Sequence, residues 1–128
     1  MTLDSSALIA ILFAEPGHLE LVDRILGADH VRIAAPTLVE ASLVFAGRRR
    51  TPDVRMLEAL ADELGVTTVP FGQREWRAAV DGFLRYGRGR HKAGLNFGDC
   101  VAYAAAVTAN DSLLFVGDDF ALTDVTPA

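Results

Sequence analysis

Short runs of apolar and β-branched residues alternate along this chain with longer segments whose apolar residues recur at helical spacing. That alternation constrains the fold more than any other feature. Repeated strand–helix–strand units lead to a parallel sheet with helices packed on its faces. The predicted strands cover residues 2–4, Val31 to Ala35, Val66 to Val69 and Leu113 to Val116, with a short fifth near Val125. They are short and apolar, as expected when helices cover both faces of the sheet.

The helices between them carry their own punctuation. A first runs from Ser5 to Ala14 and is stopped by Pro16 and Gly17. Leu19, Val22, Ile25 and Leu26 mark a second, ended by Gly27. Pro36 suits the first turn of a third, which extends to Gly47. Thr51-Pro52-Asp53 reads as the start of a fourth, with Leu57, Leu60, Ala61 and Leu64 on its inner face and Gly65 at its end. A fifth spans about Gly72 to Tyr86, with Trp76, Ala79, Val80 and Phe83 as its core stripe. After a Gly- and Arg-rich loop, Gly87 to Gly94, the segment Asn96 to Asp99 leads into an alanine-rich helix, Cys100 to Ala109. The expected architecture is a three-layer α/β/α domain over residues 1–128, with a short, mostly parallel central sheet of four or five strands.

The 128 residues suit one domain, and a 51 % hydrophobic content supplies an ordinary core. A lone cysteine, Cys100, excludes an intrachain disulfide and a multi-cysteine zinc site, and reads as a small buried hydrophobe. The N-terminal segment has no basic region of the signal-peptide kind, and no apolar run reaches the ~20 residues that span a bilayer. The expectation is a soluble, cytoplasmic protein with no membrane partner. The net charge of −5 argues against nucleic acid only on average. Seven of the twelve Lys and Arg lie in two acid-free stretches, Arg48 to Arg50 and Arg85 to Lys92, so positive patches coexist with an acidic whole.

Four acidic positions stand out on this map. Asp4 ends the first strand. Glu40 interrupts an apolar helix face one turn after the second. Asp99 lies where the alanine-rich helix opens. Asp118 and Asp119 follow the fourth strand. Each has an ordinary reading as a cap or turn residue. Together they map to the carboxyl edge of the strands, where open parallel sheets bind their ligands. Several carboxylates cannot share a crevice fully ionised without a counter-charge. Oxygen ligands suit Mg²⁺, with Mn²⁺ as a substitute, and such an ion activates water for phosphodiester hydrolysis. No Ser–His–Asp or Cys–His set competes with this reading.

The segments Leu3-Asp4-Ser5-Ser6-Ala7, Pro36-Thr37-Leu38-Val39-Glu40, Leu95-Asn96-Phe97-Gly98-Asp99-Cys100 and Leu113 to Phe120 resemble, in order and spacing, the PIN-domain family and specifically the VapC toxins of bacterial toxin–antitoxin pairs. The resemblance covers the whole chain. It implies an Mg²⁺-dependent endoribonuclease with Asp4 and Asp99 as metal ligands. Glu40 would be a ligand or the acid that orients the attacking water, and either Asp118 or Asp119 the fourth acid. Ser6 and Asn96 stand as polar neighbours able to position water or phosphate. The resemblance also implies an RNA substrate, a VapB-type antitoxin and a homodimer. The helix from Thr37 to Ala46 is apolar nearly all round, so it is either internal or meets a second chain. Arg88, Arg90 and Lys92, in a loop made pliable by Gly87, Gly89 and Gly94, are candidate RNA contacts.

Two other readings use the same acids. A structure-specific DNA nuclease shares the metal logic but needs insertions this chain has no room for. A phospho-acceptor receiver module needs an acid pair near the first strand, an Asp after the third and a Lys after the last. Asp4 stands alone, Val69-Pro70-Phe71 has no acid, and no Lys follows Val116.

Overall fold

A computed structural model describes all 128 residues. Four strands, β1 (Thr2–Leu3), β2 (Val31–Ala34), β3 (Val66–Val69) and β4 (Leu113–Leu114), form one sheet in the order β3-β2-β1-β4. Every pairing is parallel, with Thr2 opposite both Arg32 and Leu113. The fifth strand expected near Val125 does not form. The last residues instead make one bridge to the edge of β4: the Leu113 N–H donates to the Thr126 carbonyl, and the Ala128 N–H to that of Leu113.

Side chains alternate across the sheet, as the pleat requires. Leu114, Leu3 and Ile33 pack with Ile25 and Leu8 on one face, where α1 (Ser5–Leu12), α2 (His18–Leu26) and α4 (Arg55–Glu63) lie. Leu113 packs with Tyr103, Ala106 and Phe120 on the other, under α5 (Gln73–Tyr86) and α6 (Phe97–Ala109). α3 (Ala35–Arg49) buries Thr37, Ala41 and Phe45 and leaves Val39 and Leu43 exposed. Its outer face is therefore apolar and open, and the wholly internal alternative is set aside. No helix is long and apolar enough to cross a membrane.

Helix boundaries differ from the sequence expectation where side chains outbid pattern. α1 ends at Leu12, because Ala14 turns into the left-handed region. α4 starts at Arg55 rather than at Thr51-Pro52-Asp53. There the Thr51 hydroxyl accepts from the Asp53 N–H and the Asp53 carboxylate from the Arg55 N–H, two successive turns that delay the helix. α6 starts at Phe97, three residues before the predicted Cys100. α6 leads into a strand parallel to the rest, so it runs back against the sheet and its first turn lies at the carboxyl edge.

Candidate active site

Asp4 leaves β1 and caps α1. Its Oδ2 accepts from the Ser6 N–H at 2.9 Å and from the Ser6 hydroxyl. The Ser6 Oγ in turn accepts from the Val116 N–H at 3.0 Å, so one hydroxyl joins the cap of α1 to the turn after β4. Asp4 is 5 % exposed. Burial drives its pKa up against the pull of these hydrogen bonds, and the Asp119 charge raises it further.

Asp99 is not the N-cap of α6; Asn96 is. The Asn96 Oδ1 accepts from the Asp99 N–H at 3.1 Å and the Asp99 Oδ2 from the Asn96 N–H at 2.7 Å, a capping box. Burial pushes Asp99 up to about 6, opposed by the Asn96 bond and reinforced by the charges of Asp119, Asp4 and Glu40. Glu40, partly buried in the second turn of α3, is also pushed up. Burial is the main cause, the Ser5 side chain pulls it down, and the Asp4 charge adds to the rise. Against Glu40 lies Gly98: a Cβ there would run into the Glu40 carboxyl.

Asp118 and Asp119 are both exposed in the turn after β4. The turn is set by Gly117 at φ +107° and anchored by Phe120, 2 % exposed and 5.0 Å from the Phe115 ring. The Asp119 charge in this turn raises both Asp4 and Asp99.

Four carboxylates from four elements thus act on one another, and none of the five acids here takes part in any of the eight ion pairs of the chain. No three His, Cys, Asp or Glu side chains are closed to the spacing of a formed metal shell. The acids therefore do not form a tight cage. An oxygen-only donor set that repels itself and lacks a protein cation fits Mg²⁺ or Mn²⁺.

The basic loop differs from expectation. Arg88, Arg90 and Lys92 are exposed and free of ion pairs. The backbone, however, is tied down rather than pliable. Arg88 N–H donates to the Leu95 carbonyl and Leu95 N–H to that of Tyr86, while Arg90 and His91 both donate to Gly87. Gly87 is required by close approach, since a Cβ would collide with Phe83. The Arg90 guanidinium lies 5.5 Å over the Phe83 ring.

Trp76, expected in the core, is half exposed beneath the Arg77 guanidinium. Cys100 is buried as expected, and its thiol is pushed up to about 11, mainly by burial, so it offers no thiolate nucleophile at neutral pH. Three features escaped the sequence reading. Gly98 backs onto Glu40, Phe97 is 82 % exposed beside it, and the buried Thr37 Oγ1 has no hydrogen-bond partner. A glycine in the first turn of an alanine-rich helix was the available signal for the first.

The family model of the PIN domain matches residues 1–125. The chain is 39 % identical to ribonuclease VapC36 of Mycobacterium tuberculosis, an alignment covering 98 % of this chain and 91 % of that protein. It is 40 % identical to ribonuclease VapC of Mycolicibacterium smegmatis, over 98 % and 97 %. Among solved structures it is similar to a toxin–antitoxin complex from Klebsiella pneumoniae, with a TM-score of 0.73 at 19 % identity over 99 % of this chain and 97 % of that one. It is also similar to VapBC2 of Rickettsia felis bound to a promoter DNA fragment, with a TM-score of 0.69 at 12 % identity over 99 % and 96 %. At such identities the structural likeness concerns the fold. The match across the domain and the whole-chain identity together show that this chain belongs to the PIN-domain family and, within it, to the VapC ribonucleases.

Proposed function

We propose that this chain is a metal-dependent endoribonuclease, the toxin of a toxin–antitoxin pair, and that Asp4, Glu40, Asp99 and Asp119 carry its reaction. The observation that supports this most is the set of mutually coupled carboxylates with no protein counter-ion. Asp4 and Asp99 would hold Mg²⁺ or Mn²⁺. Bound there, the ion would polarise a phosphate oxygen and lower the pKa of a water. Ser6 holds Asp4 in place and the Asn96 N–H holds Asp99, so both carboxylates are oriented before any ligand arrives. Glu40, braced by Gly98, orients the attacking water and takes its proton. Asp119 rather than Asp118 supplies the fourth charge.

A VapB-type antitoxin is the proposed partner, placing an Arg or Lys among these acids in place of the metal. A homodimer has a suitable surface in the exposed Trp76, Val80 and Leu84 of α5. The deciding experiment is cleavage of RNA with Mg²⁺, with Mn²⁺ and with EDTA, with the product ends identified. A 5′-phosphate and 3′-hydroxyl, lost with EDTA, support a metal-activated water. A 2′,3′-cyclic phosphate, or cleavage indifferent to EDTA, refutes it.

A further inference from the structure

Thr37 is buried, at 1 % exposure, and its hydroxyl has no hydrogen-bond partner. Elsewhere in the chain a helical hydroxyl finds the carbonyl one turn back: Ser42 donates to Leu38 and Thr108 to Ala104. Thr37 makes no such bond, although a valine would fill the same volume without burying an unpaired donor. One turn further along α3 stands Glu40, and both residues line the same hollow against Gly98 of α6. The Glu40 carboxylate lies over Gly98 and has no ion-pair partner. The hydroxyl that bears on it, that of Ser5, comes from α1. A buried donor without an acceptor and a carboxylate with acceptor capacity to spare thus share one helix face.

We propose that Thr37 is a positioning residue for Glu40, its hydroxyl donating to one carboxylate oxygen while the other faces the attacking water. This rests on the ribonuclease reading above, in which Glu40 orients that water. Helical side chains tilt toward the N-terminus of their helix, so Glu40 leans over the turn that holds Thr37. The bond needs only rotation about the side-chain torsions of Glu40 and no movement of either helix. Gly98 leaves the space in which the carboxylate turns. Held from Ser5 on one side and Thr37 on the other, the carboxylate keeps a single direction for the lone pairs that meet the water. The unpaired hydroxyl is then one half of a hydrogen bond that is completed when Glu40 takes its working position. Thr37 is already sealed within this chain, so the role is the same whether or not a second chain covers the outer face of α3.

Steady-state cleavage of an oligoribonucleotide with Mg²⁺, beside thermal melts, tests this. Thr37→Val removes the hydroxyl and keeps the shape. It lowers kcat roughly tenfold or more, the size of a lost hydrogen bond to a charged group, while KM stays nearly unchanged. Its melting temperature is no lower than that of the parent, since a buried unpaired donor has gone. Thr37→Ser, which keeps the hydroxyl, brings kcat back close to the parent. The effect passes through Glu40: in a Glu40→Asp background, whose shortened carboxylate cannot reach the hydroxyl, Thr37→Val costs little further. A Thr37→Val protein that cleaves at the parent rate refutes the proposal and leaves the ribonuclease reading standing. So does a loss that Thr37→Ser fails to restore, which marks a packing role. A loss that adds in full to that of Glu40→Asp marks action independent of Glu40, and the proposal falls. If Thr37→Val does not fold, Thr37→Ala compared with Thr37→Ser puts the same question. If the parent does not cleave RNA, both readings fall.

Discussion

The backbone of Gly98 lies against the carboxyl of Glu40, with no space for a side chain between them. Any larger residue at 98 must displace Glu40, although alanine suits a helix better than glycine by about 1 kcal/mol. Gly98→Ala is therefore expected to leave the melting temperature close to that of the parent and to lower cleavage on the order of 100-fold, the scale of a misplaced catalytic group. Steady-state rates beside a thermal melt check this. Full activity would remove Glu40 from the reaction.

The two acids of the turn after β4 should separate. Asp119→Asn is expected to cost on the order of 100-fold or more in rate, and Asp4→Asn and Asp99→Asn at least as much, the scale of losing one fixed electrostatic group. Asp118→Asn should stay within a few-fold of the parent. Rates measured with folded variants at saturating Mg²⁺ decide it; equal losses at 118 and 119 would show that both charges serve the site.

Without metal, the site should destabilise the fold as pH rises. Asp99 is raised to about 6 from an ordinary 3.8, so the folded state binds its proton more tightly than the unfolded state does. Stability is highest below about pH 4 for this group and falls as pH passes through about 6. Asp4 and Glu40 shift in the same direction. The acids held low, Asp111 and Asp124, lose their contribution only in more acid solution and stay constant across this window. In EDTA, Asp99→Asn should melt a few degrees above the parent at pH 7.5, with the gap narrowing steadily as pH falls toward 4. That corresponds to on the order of 1 kcal/mol after discounting for a carboxyl still partly in contact with solvent. Mg²⁺ should raise the parent and not the variant.

Arg88, Arg90 and Lys92 are exposed on a loop whose backbone is held by its own hydrogen bonds. Their replacement by Ala should leave thermal stability and metal affinity nearly unchanged. Each lost phosphate contact on single-stranded RNA flattens the dependence of log affinity on log salt by about 0.7, so the triple variant should lose about one to two units of slope. A salt series in the Asp99→Asn background measures this. An unchanged slope would move the RNA contact to Arg49 and Arg50, which also lack ion pairs.

The sheet, its parallel sense and the carboxyl-edge location of the acids were legible in the sequence, because alternation of short apolar runs with helices leaves few topologies. Fine placement was not. Asn96 and Asp99 are both good caps, and only the reciprocal bonds decide which one starts α6. Asp118 and Asp119 are the same residue type in adjacent positions, so the sequence could not separate them, whereas in the folded chain the Asp119 charge bears on Asp4. The glycines of the basic loop suggested slack, yet Gly87 is there because Phe83 leaves no room for a Cβ. Phe97 was hidden for a related reason: Leu95 and Gly98 on either side of it are buried, and the pattern gives no sign that the ring between them stands exposed.

The Ser6 hydroxyl touches both the Asp4 carboxylate and the Val116 amide. Orientation of the acid and order of the turn that carries Asp119 therefore share one fastening, beside the Ser6 amide that also holds Asp4 and the Phe120 ring that also anchors the turn. A molecule that pries the Gly117 turn away, without ever reaching the carboxylates, also removes the donor that fixes the Ser6 hydroxyl on its far side. A push on the turn is thus felt one hydroxyl away from the acid.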